Sequence, residues 1–196
     1  MPSLPPVTQA LILINVGMFC LQYIAGYLIE GFLPLRPIGA GFLPWQIVTY
    51  AFLHAGFNHL LFNMLGLWMF GSELERLWGP KRFLQFYMAS VVAAAGLQLV
   101  VAAVAGASYP TVGASGGIFG LLFGFAMMFP NRIIVPLIPP IPMKAKTFVM
   151  VYGALSLLFG LNGWLPGIAH FAHLGGILGG WLMIRYWRGQ PPFGRR

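Results

Sequence analysis

One serine lies between glycines in an apolar run, the segment "PTVGASGGIFG" at residues 110–120. A hydroxyl in apolar surroundings costs free energy unless it finds a hydrogen-bond partner. A histidine can act as its partner and, as a general base, turn the hydroxyl into a nucleophile. The chain has four histidines, at positions 54, 59, 170 and 173. The chemistry to consider is therefore nucleophilic attack by Ser115 with help from a histidine.

The composition places this chemistry in a membrane. Of the 196 residues, 59% are hydrophobic and 7% are charged, and the mean hydropathy is +0.81. A soluble domain carries about 25% charged residues, so these charges are too few to cover a water-facing surface. We therefore predict an integral membrane protein with one domain, residues 1–196. The net charge of +8 comes from scattered basic residues and indicates membrane topology, with no nucleic-acid partner.

Six segments are long and apolar enough to approach the roughly 20 residues that a membrane-spanning helix needs. They cover residues 7–29, 56–77, 82–105, 114–129, 147–161 and 167–187. The expected fold is an all-α polytopic bundle of six transmembrane helices. The first segment lacks the basic leader and the clear cleavage site of a signal peptide, so we expect it to be retained.

Basic residues indicate the orientation of these helices. Ten of them fall in the second loop, the fourth loop and the C-terminal tail: Arg76, Lys81, Arg82, Arg132, Lys144, Lys146, Arg185, Arg188, Arg195 and Arg196. Only Arg36 falls on the opposite side. Because basic residues accumulate in cytoplasmic loops, both termini are predicted to be cytoplasmic.

This orientation brings polar side chains of three helices to one depth. Ser115 begins the fourth helix from the outer face, His170 and His173 lie near the outer start of the sixth, and His59 and Asn63 lie in the outer part of the second. Ionisable groups at membrane depth favour a functional site. The alternative is packing, with each polar group bonded within its helix or to a neighbouring helix.

Glycine spacing predicts which helices touch. Gly116, Gly120 and Gly124 recur every fourth residue on the fourth helix, as do Gly176 and Gly180 on the sixth, beside Gly175 and Gly179. Such small-residue faces allow close approach of membrane helices. Since His173 shares the face of Gly176, close approach predicts a Ser115–His173 pair.

The acidic residues are Glu30, Glu73 and Glu75. Glu73 and Glu75 lie about 20 Å deeper than His59 along the second helix and cannot complete a triad. Glu30 lies at the outer end of the first helix, in or near the first loop, and is not assigned to the site. We therefore predict a Ser–His dyad. Donors for a developing oxyanion are the Ser115 backbone N–H and the side chains of His59 and Asn63, one helical turn apart.

Three motifs together resemble the rhomboid family of intramembrane serine proteases. They are "HLLFN" at 59–63, "GASG" at 113–116 and "AHLGGILGG" at 172–180, in the family's order on the second, fourth and sixth helices. The resemblance implies that Ser115 is the nucleophile and His173 the base. It also implies that His59, Asn63 and the Ser115 amide line the oxyanion hole.

The resemblance extends to supporting residues. Phe119 occupies a position where many members have a tyrosine that packs on the catalytic histidine, and the motif glycines Gly113, Gly116, Gly176 and Gly180 are supporting residues. "PWQ" at 44–46 is similar to the tryptophan-centred pair of loop one, with glutamine in place of the arginine of some members. "ELERLWG" at 73–79 is similar to an acidic–basic–glycine cluster, in which Glu75 is structural. His54 is expected to pack.

The predicted function is a serine endopeptidase that cleaves transmembrane or juxtamembrane segments of membrane proteins, without cofactor or metal, in a prokaryotic plasma membrane. The resemblance also implies that the fifth helix and the fifth loop, with the glycine- and proline-rich segment 160–167, act as a mobile gate; the alternative is an ordinary connector. One rival is a non-catalytic relative that binds membrane segments. The other is a metal enzyme or transporter that uses the histidines, although the H-E-x-x-H motif of zinc proteases is absent.

Overall fold

The protein is mostly helical. The computed structural model describes residues 3–106, 108–137, 139–164 and 169–194, and 71% of it is helical. The helices are α1 (Pro6–Phe32), α2 (Gln46–Thr49), α3 (Phe57–Gly66), α4 (Ser72–Trp78), α5 (Pro80–Ala105), α6 (Ser115–Met128), α7 (Ala145–Asn162) and α8 (His170–Trp187). No helix was predicted at α2. The bounds of the other helices, with α3 and α4 taken together, differ from the predicted ones by at most about one turn. Residues 167 and 168, the predicted start of the sixth segment, lie outside the described residues, as do Arg195 and Arg196.

Helix length and composition agree with a membrane protein. Among the described residues, three helices, α1, α5 and α7, are long and apolar enough to cross a bilayer, and α6 is a shorter apolar helix of 14 residues. α1 has an apolar sequence but few buried residues, as expected for a helix that faces lipid. The prediction of an integral, helical membrane protein is confirmed.

Besides α2 and the 3₁₀ turn at Tyr50–Phe52 that follows it, two local features were not predicted. The second predicted helix consists of α3, a π-helical turn at Leu67–Gly71 and α4. A short antiparallel pair, β1 (Ile133–Ile134) and β2 (Met143–Lys144), lies between α6 and α7. Strands of two residues are too short for an alternating pattern to reveal, so the all-α prediction missed them.

Glycines of α8 allow backbone contact with two helices. A Cβ atom built on Gly176 overlaps the carbonyl oxygen of Gly116 in α6, and one on Gly175 comes within 2.7 Å of the Ala93 carbonyl oxygen in α5. α8 therefore lies between α5 and α6 with little space on either side. Gly124 does not share this contact with α8, because its added Cβ would meet Phe86 at 2.9 Å and Trp78 at 3.0 Å.

A buried glutamine organises the first loop. Gln46 is fully buried; its side-chain oxygen accepts a hydrogen bond from the Arg36 N–H at 3.0 Å, and its amide donates to the Phe32 carbonyl at 3.1 Å. Backbone hydrogen bonds between Leu35 and Thr111 then connect this loop to the segment that precedes α6. The loop thus helps to hold the start of α6 in place.

A buried carboxylate fixes the start of α1. Glu75 of α4 is 2% exposed and accepts hydrogen bonds from the Val7 N–H at 2.9 Å, the Thr8 N–H at 2.7 Å and the Thr8 hydroxyl at 2.7 Å. The first N–H groups of a helix have no partner within the helix. A carboxylate near a helix N-terminus is also favoured by the helix dipole. Glu75 therefore joins α1 to α4.

We expect Glu75→Gln to lower the free energy of unfolding by about 1–3 kcal/mol. The NH2 group of the glutamine accepts no hydrogen bond, and the neutral side chain lacks the charge that strengthens the remaining hydrogen bonds. The measurement is thermal unfolding in detergent. Glu73→Gln is the matched control, because Glu73 is only partly buried and lies two positions away. An equal loss in both variants would contradict the capping role of Glu75.

Candidate active site

Helix packing brings Ser115 and His173 together. Ser115 is the first residue of α6, and His173 lies one turn into α8. Their side chains are joined by a hydrogen bond of 2.9 Å between Ser115 Oγ and His173 Nε2. Both side chains are partly exposed, so the pair is accessible to another molecule. A serine hydroxyl that donates to a histidine nitrogen is the arrangement that nucleophilic catalysis needs.

An aromatic ring fixes the orientation of the histidine. Phe119 lies one turn after Ser115 on α6, and its ring stacks on the His173 ring with centroids 4.1 Å apart and planes inclined by 6°. Stacking restricts rotation of the imidazole and covers one of its faces. The phenylalanine thus packs where the sequence predicted an aromatic contact, without a hydroxyl.

His59 and Asn63 face the same cavity as the serine–histidine pair. The cavity has a volume of about 700 Å³, and Ser115, His173, His59 and Asn63 are among its lining residues. The Ala55 N–H donates to Nδ1 of His59 at 3.4 Å. Because Nδ1 accepts this bond, a neutral His59 carries its hydrogen on Nε2 and can donate from that atom.

Gly113 allows the His59 donor to approach the nucleophile. A Cβ atom added at Gly113 would lie 2.8 Å from His59 Nε2 and 3.7 Å from Ser115 Oγ. The two functional atoms therefore flank the glycine, in space that a side chain would fill. Gly113 also has φ of +129°, which residues with a Cβ rarely adopt.

Asn63 retains donor capacity. Its side-chain Nδ2 donates to the His59 carbonyl oxygen at 2.9 Å, which uses one of its two N–H groups. The Ser115 backbone N–H belongs to the first turn of α6, where N–H groups lack partners within the helix. The residues that line the cavity therefore offer three donor groups: the Ser115 backbone N–H, His59 Nε2–H and the second Asn63 N–H.

A second serine approaches His173 from α7, a residue that the sequence reasoning did not single out. Ser156 is 5% exposed, and its Oγ lies 3.5 Å from His173 Nδ1. The sequence feature that could have identified Ser156 is its polar side chain within the apolar segment 147–161. The acidic residue Glu75, by contrast, is held at the start of α1 and does not approach the histidine.

The remaining histidines surround this group without forming a ligand set. The buried His54 ring packs edge-on against His59 with centroids 5.1 Å apart, and His170 Nε2 lies 3.1 Å from the Trp164 carbonyl oxygen. Within the described ranges, no three His, Cys, Asp or Glu side chains converge as a metal-binding group. Residues 165–167 of the predicted gate lie outside the described residues.

Comparison with known proteins agrees with the motifs. A family model described as the Rhomboid domain matches residues 42–189. The chain is 33% identical over 138 residues to "Rhomboid protease GluP" of Bacillus subtilis, which covers 69% of this chain and 24% of that protein. It is 34% identical over 146 residues to "Rhomboid protein 1, mitochondrial" of Saccharomyces cerevisiae, covering 71% of this chain and 42% of that protein.

A plant relative extends the same similarity. "RHOMBOID-like protein 4" of Arabidopsis thaliana is 34% identical over 154 residues, covering 78% of this chain and 36% of that protein. The chain thus spans less than half the length of each of these three relatives. The matched part includes the residues of the candidate site, since the family model runs from residue 42 to residue 189.

Proposed function

Since the chain belongs to the rhomboid family, we propose that it is an intramembrane serine endopeptidase that acts by a Ser115–His173 dyad. The observation that carries the proposal is the 2.9 Å hydrogen bond between Ser115 Oγ and His173 Nε2, on the wall of a cavity with further donors. The three named relatives are rhomboid proteins, and one is named a protease. Together these features favour peptide-bond cleavage over binding alone.

Each side chain has a step in this mechanism. His173 Nε2 takes the Ser115 proton while Oγ attacks the substrate carbonyl carbon, and the carbonyl oxygen becomes an oxyanion. The Ser115 N–H, His59 Nε2–H and Asn63 Nδ2–H stabilise that charge. The imidazolium then gives its proton to the leaving amine, and water hydrolyses the acyl-enzyme with His173 as base again.

The cavity fits an apolar peptide segment. Besides the dyad, it is lined by apolar side chains of α3, α6, α7 and the β1 region, among them Phe62, Leu122, Ile134 and Phe148. A membrane helix hides its carbonyl groups in hydrogen bonds, so a substrate must unwind locally to present one. The proposed substrates are transmembrane or juxtamembrane segments that contain small or helix-breaking residues.

The proposed topology has six membrane spans in one domain, formed by α1, the run from α3 to α4, α5, α6, α7 and α8. Both termini lie on the cytoplasmic side, in agreement with the basic residues of the even-numbered loops. We place the protein in a prokaryotic plasma membrane. Mitochondrial proteins are among its relatives, so fractionation of the native cell is the measurement that tests this placement.

Labelling by a fluorophosphonate tests the dyad directly, because this reagent phosphonylates only a serine whose hydroxyl is activated. We expect the wild-type protein to be labelled and His173→Ala to be labelled about 10²–10⁴-fold more slowly, the usual contribution of a general base. Ser115→Ala serves as the control for labelling at other residues. Equal labelling of the wild type and the His173 variant would contradict the assignment of this base.

A further inference from the structure

We propose that Ser156 of α7 is a positioning residue that holds the His173 imidazole in the tautomer that the dyad requires, an inference that rests on the proposed peptidase function. Ser156 Oγ lies 3.5 Å from His173 Nδ1, while Ser115 Oγ lies 2.9 Å from Nε2. Each ring nitrogen of His173 is therefore contacted by a different serine, and the two serines belong to different helices, α6 and α7.

The tautomer follows from the direction of the Ser115 hydrogen bond. Ser115 can be activated only if its hydroxyl donates to Nε2, so Nε2 must carry a lone pair. The hydrogen of a neutral imidazole is then on Nδ1 and needs an acceptor. A serine oxygen supplies one, since a helical serine commonly donates its own hydrogen to the carbonyl group one turn earlier and keeps lone pairs free.

Ser156 occupies one of the few buried positions of α7. α7 buries Ala145, Phe148 and Ser156, while most of its other residues are exposed on the surface of the helix. A hydroxyl at a buried position of a membrane helix costs free energy unless a partner satisfies it. The structure places His173 Nδ1 3.5 Å from Ser156 Oγ, so the oxygen lone pair that a bond to the preceding turn leaves free has a partner in His173.

Three other groups of the described residues have different contacts. The Phe119 ring covers a face of the imidazole, and His170 directs its Nε2 to the Trp164 carbonyl oxygen. The carboxylate of Glu75 is bound at the start of α1. Ser156 Oγ, by contrast, lies within hydrogen-bond range of Nδ1, at 3.5 Å.

The contact gains strength during the reaction. When His173 takes the Ser115 proton it becomes an imidazolium, and a hydrogen bond from a charged donor is shorter and stronger than one from a neutral donor. Catalytic hydrogen bonds are often long in the free enzyme and shorten with substrate bound. Ser156 forms and breaks no covalent bond. It acts through His173, in the place where a triad has its acid.

The test compares Ser156 variants of the 196-residue protein in cleavage of a transmembrane substrate. We expect Ser156→Ala to lower kcat about tenfold, the effect of losing one hydrogen bond, with KM within about twofold because Ser156 acts through the base and not on the substrate. Ser90→Ala is the matched control. Ser90 is also buried and donates to the Phe86 carbonyl oxygen of its own helix, so the kcat of the Ser90 variant is expected to stay at the wild-type value.

Two substitutions with side chains of equal shape distinguish a positioning role of Ser156 from a packing role. Ser156→Thr retains a hydroxyl and Ser156→Val replaces it with a methyl group, so any steric cost is common to both. We expect the threonine variant to have a kcat at least five times that of the valine variant. Equal kcat values for this pair, or a wild-type kcat for Ser156→Ala, would overturn the proposal. If the wild type cleaves no faster than Ser115→Ala, the peptidase function fails and the assignment of Ser156 fails with it.

Discussion

Ser115→Ala is expected to abolish cleavage of a transmembrane substrate, with a fall in kcat of about 10⁶-fold, as in serine proteases that lose their nucleophile. The reason is that Ser115 Oγ is the atom hydrogen-bonded to His173 Nε2, and alanine leaves no atom to form the acyl-enzyme. The histidine and the oxyanion donors stay in place. The measurement is product formation by purified protein in detergent or in liposomes.

Folding of the Ser115 variant is expected to be intact, because Ser115 is only partly buried and begins a helix whose other contacts are made by glycines and apolar residues. Its melting temperature should be within a few degrees of the wild-type value. Ser90→Ala removes the same hydroxyl group from another buried part of the bundle and should cleave normally. Cleavage by Ser115→Ala at the wild-type rate would show that the activity belongs to another group or to a contaminant.

The sequence predicted the segments and the motif residues because each signal was local. Hydropathy depends on composition within a window, so the bounds of α5 and α6 follow from it closely. Family membership rests on three motifs in a fixed order and is confirmed by the Rhomboid domain match over residues 42–189.

Features that depend on helix rotation were not predictable in this way. Gly120 and Gly124 lie about one turn apart on α6. A Cβ on Gly120 would lie 2.9 Å from the Gly176 carbonyl oxygen, whereas one on Gly124 would meet Phe86. Ser156 belongs to a helix of mixed exposure whose rotation is set by docking against α8. Its contact with His173 joins residues 17 positions apart, and no periodicity in α7 predicts which way that hydroxyl points.

Gly176→Ala is expected to have the largest effect on folding. The added Cβ overlaps the Gly116 carbonyl oxygen and lies 2.7 Å from the Gly116 carbonyl carbon. Neither atom is at the end of a flexible side chain, so the backbones of α6 and α8 must separate. Overpacking in a tight interface costs about 1–3 kcal/mol or more, and we expect a loss at the upper end of that range, measured as thermal unfolding in detergent.

Activity is expected to fall further than stability alone accounts for, because Gly176 lies one turn after His173 and Gly116 directly follows Ser115. Separating α8 from α6 at this point lengthens the 2.9 Å bond between Ser115 Oγ and His173 Nε2. A misplacement of about 1 Å lowers the rate of a catalytic step about 10²-fold. The protein that remains folded should therefore react with a fluorophosphonate about 10²-fold more slowly than the wild type.

Gly96→Ala separates this effect from the general consequences of placing a methyl group on a membrane helix. Gly96 lies within α5, and a Cβ built there meets no atom within 4 Å. Alanine favours a helix over glycine by about 0.5–1 kcal/mol, so the control should be as stable as the wild type or more stable. Equal unfolding temperatures for Gly176→Ala and the wild type would mean that α6 and α8 tolerate a wider separation. The dyad would then depend on side-chain contacts such as the Phe119 stack and not on the glycine interface.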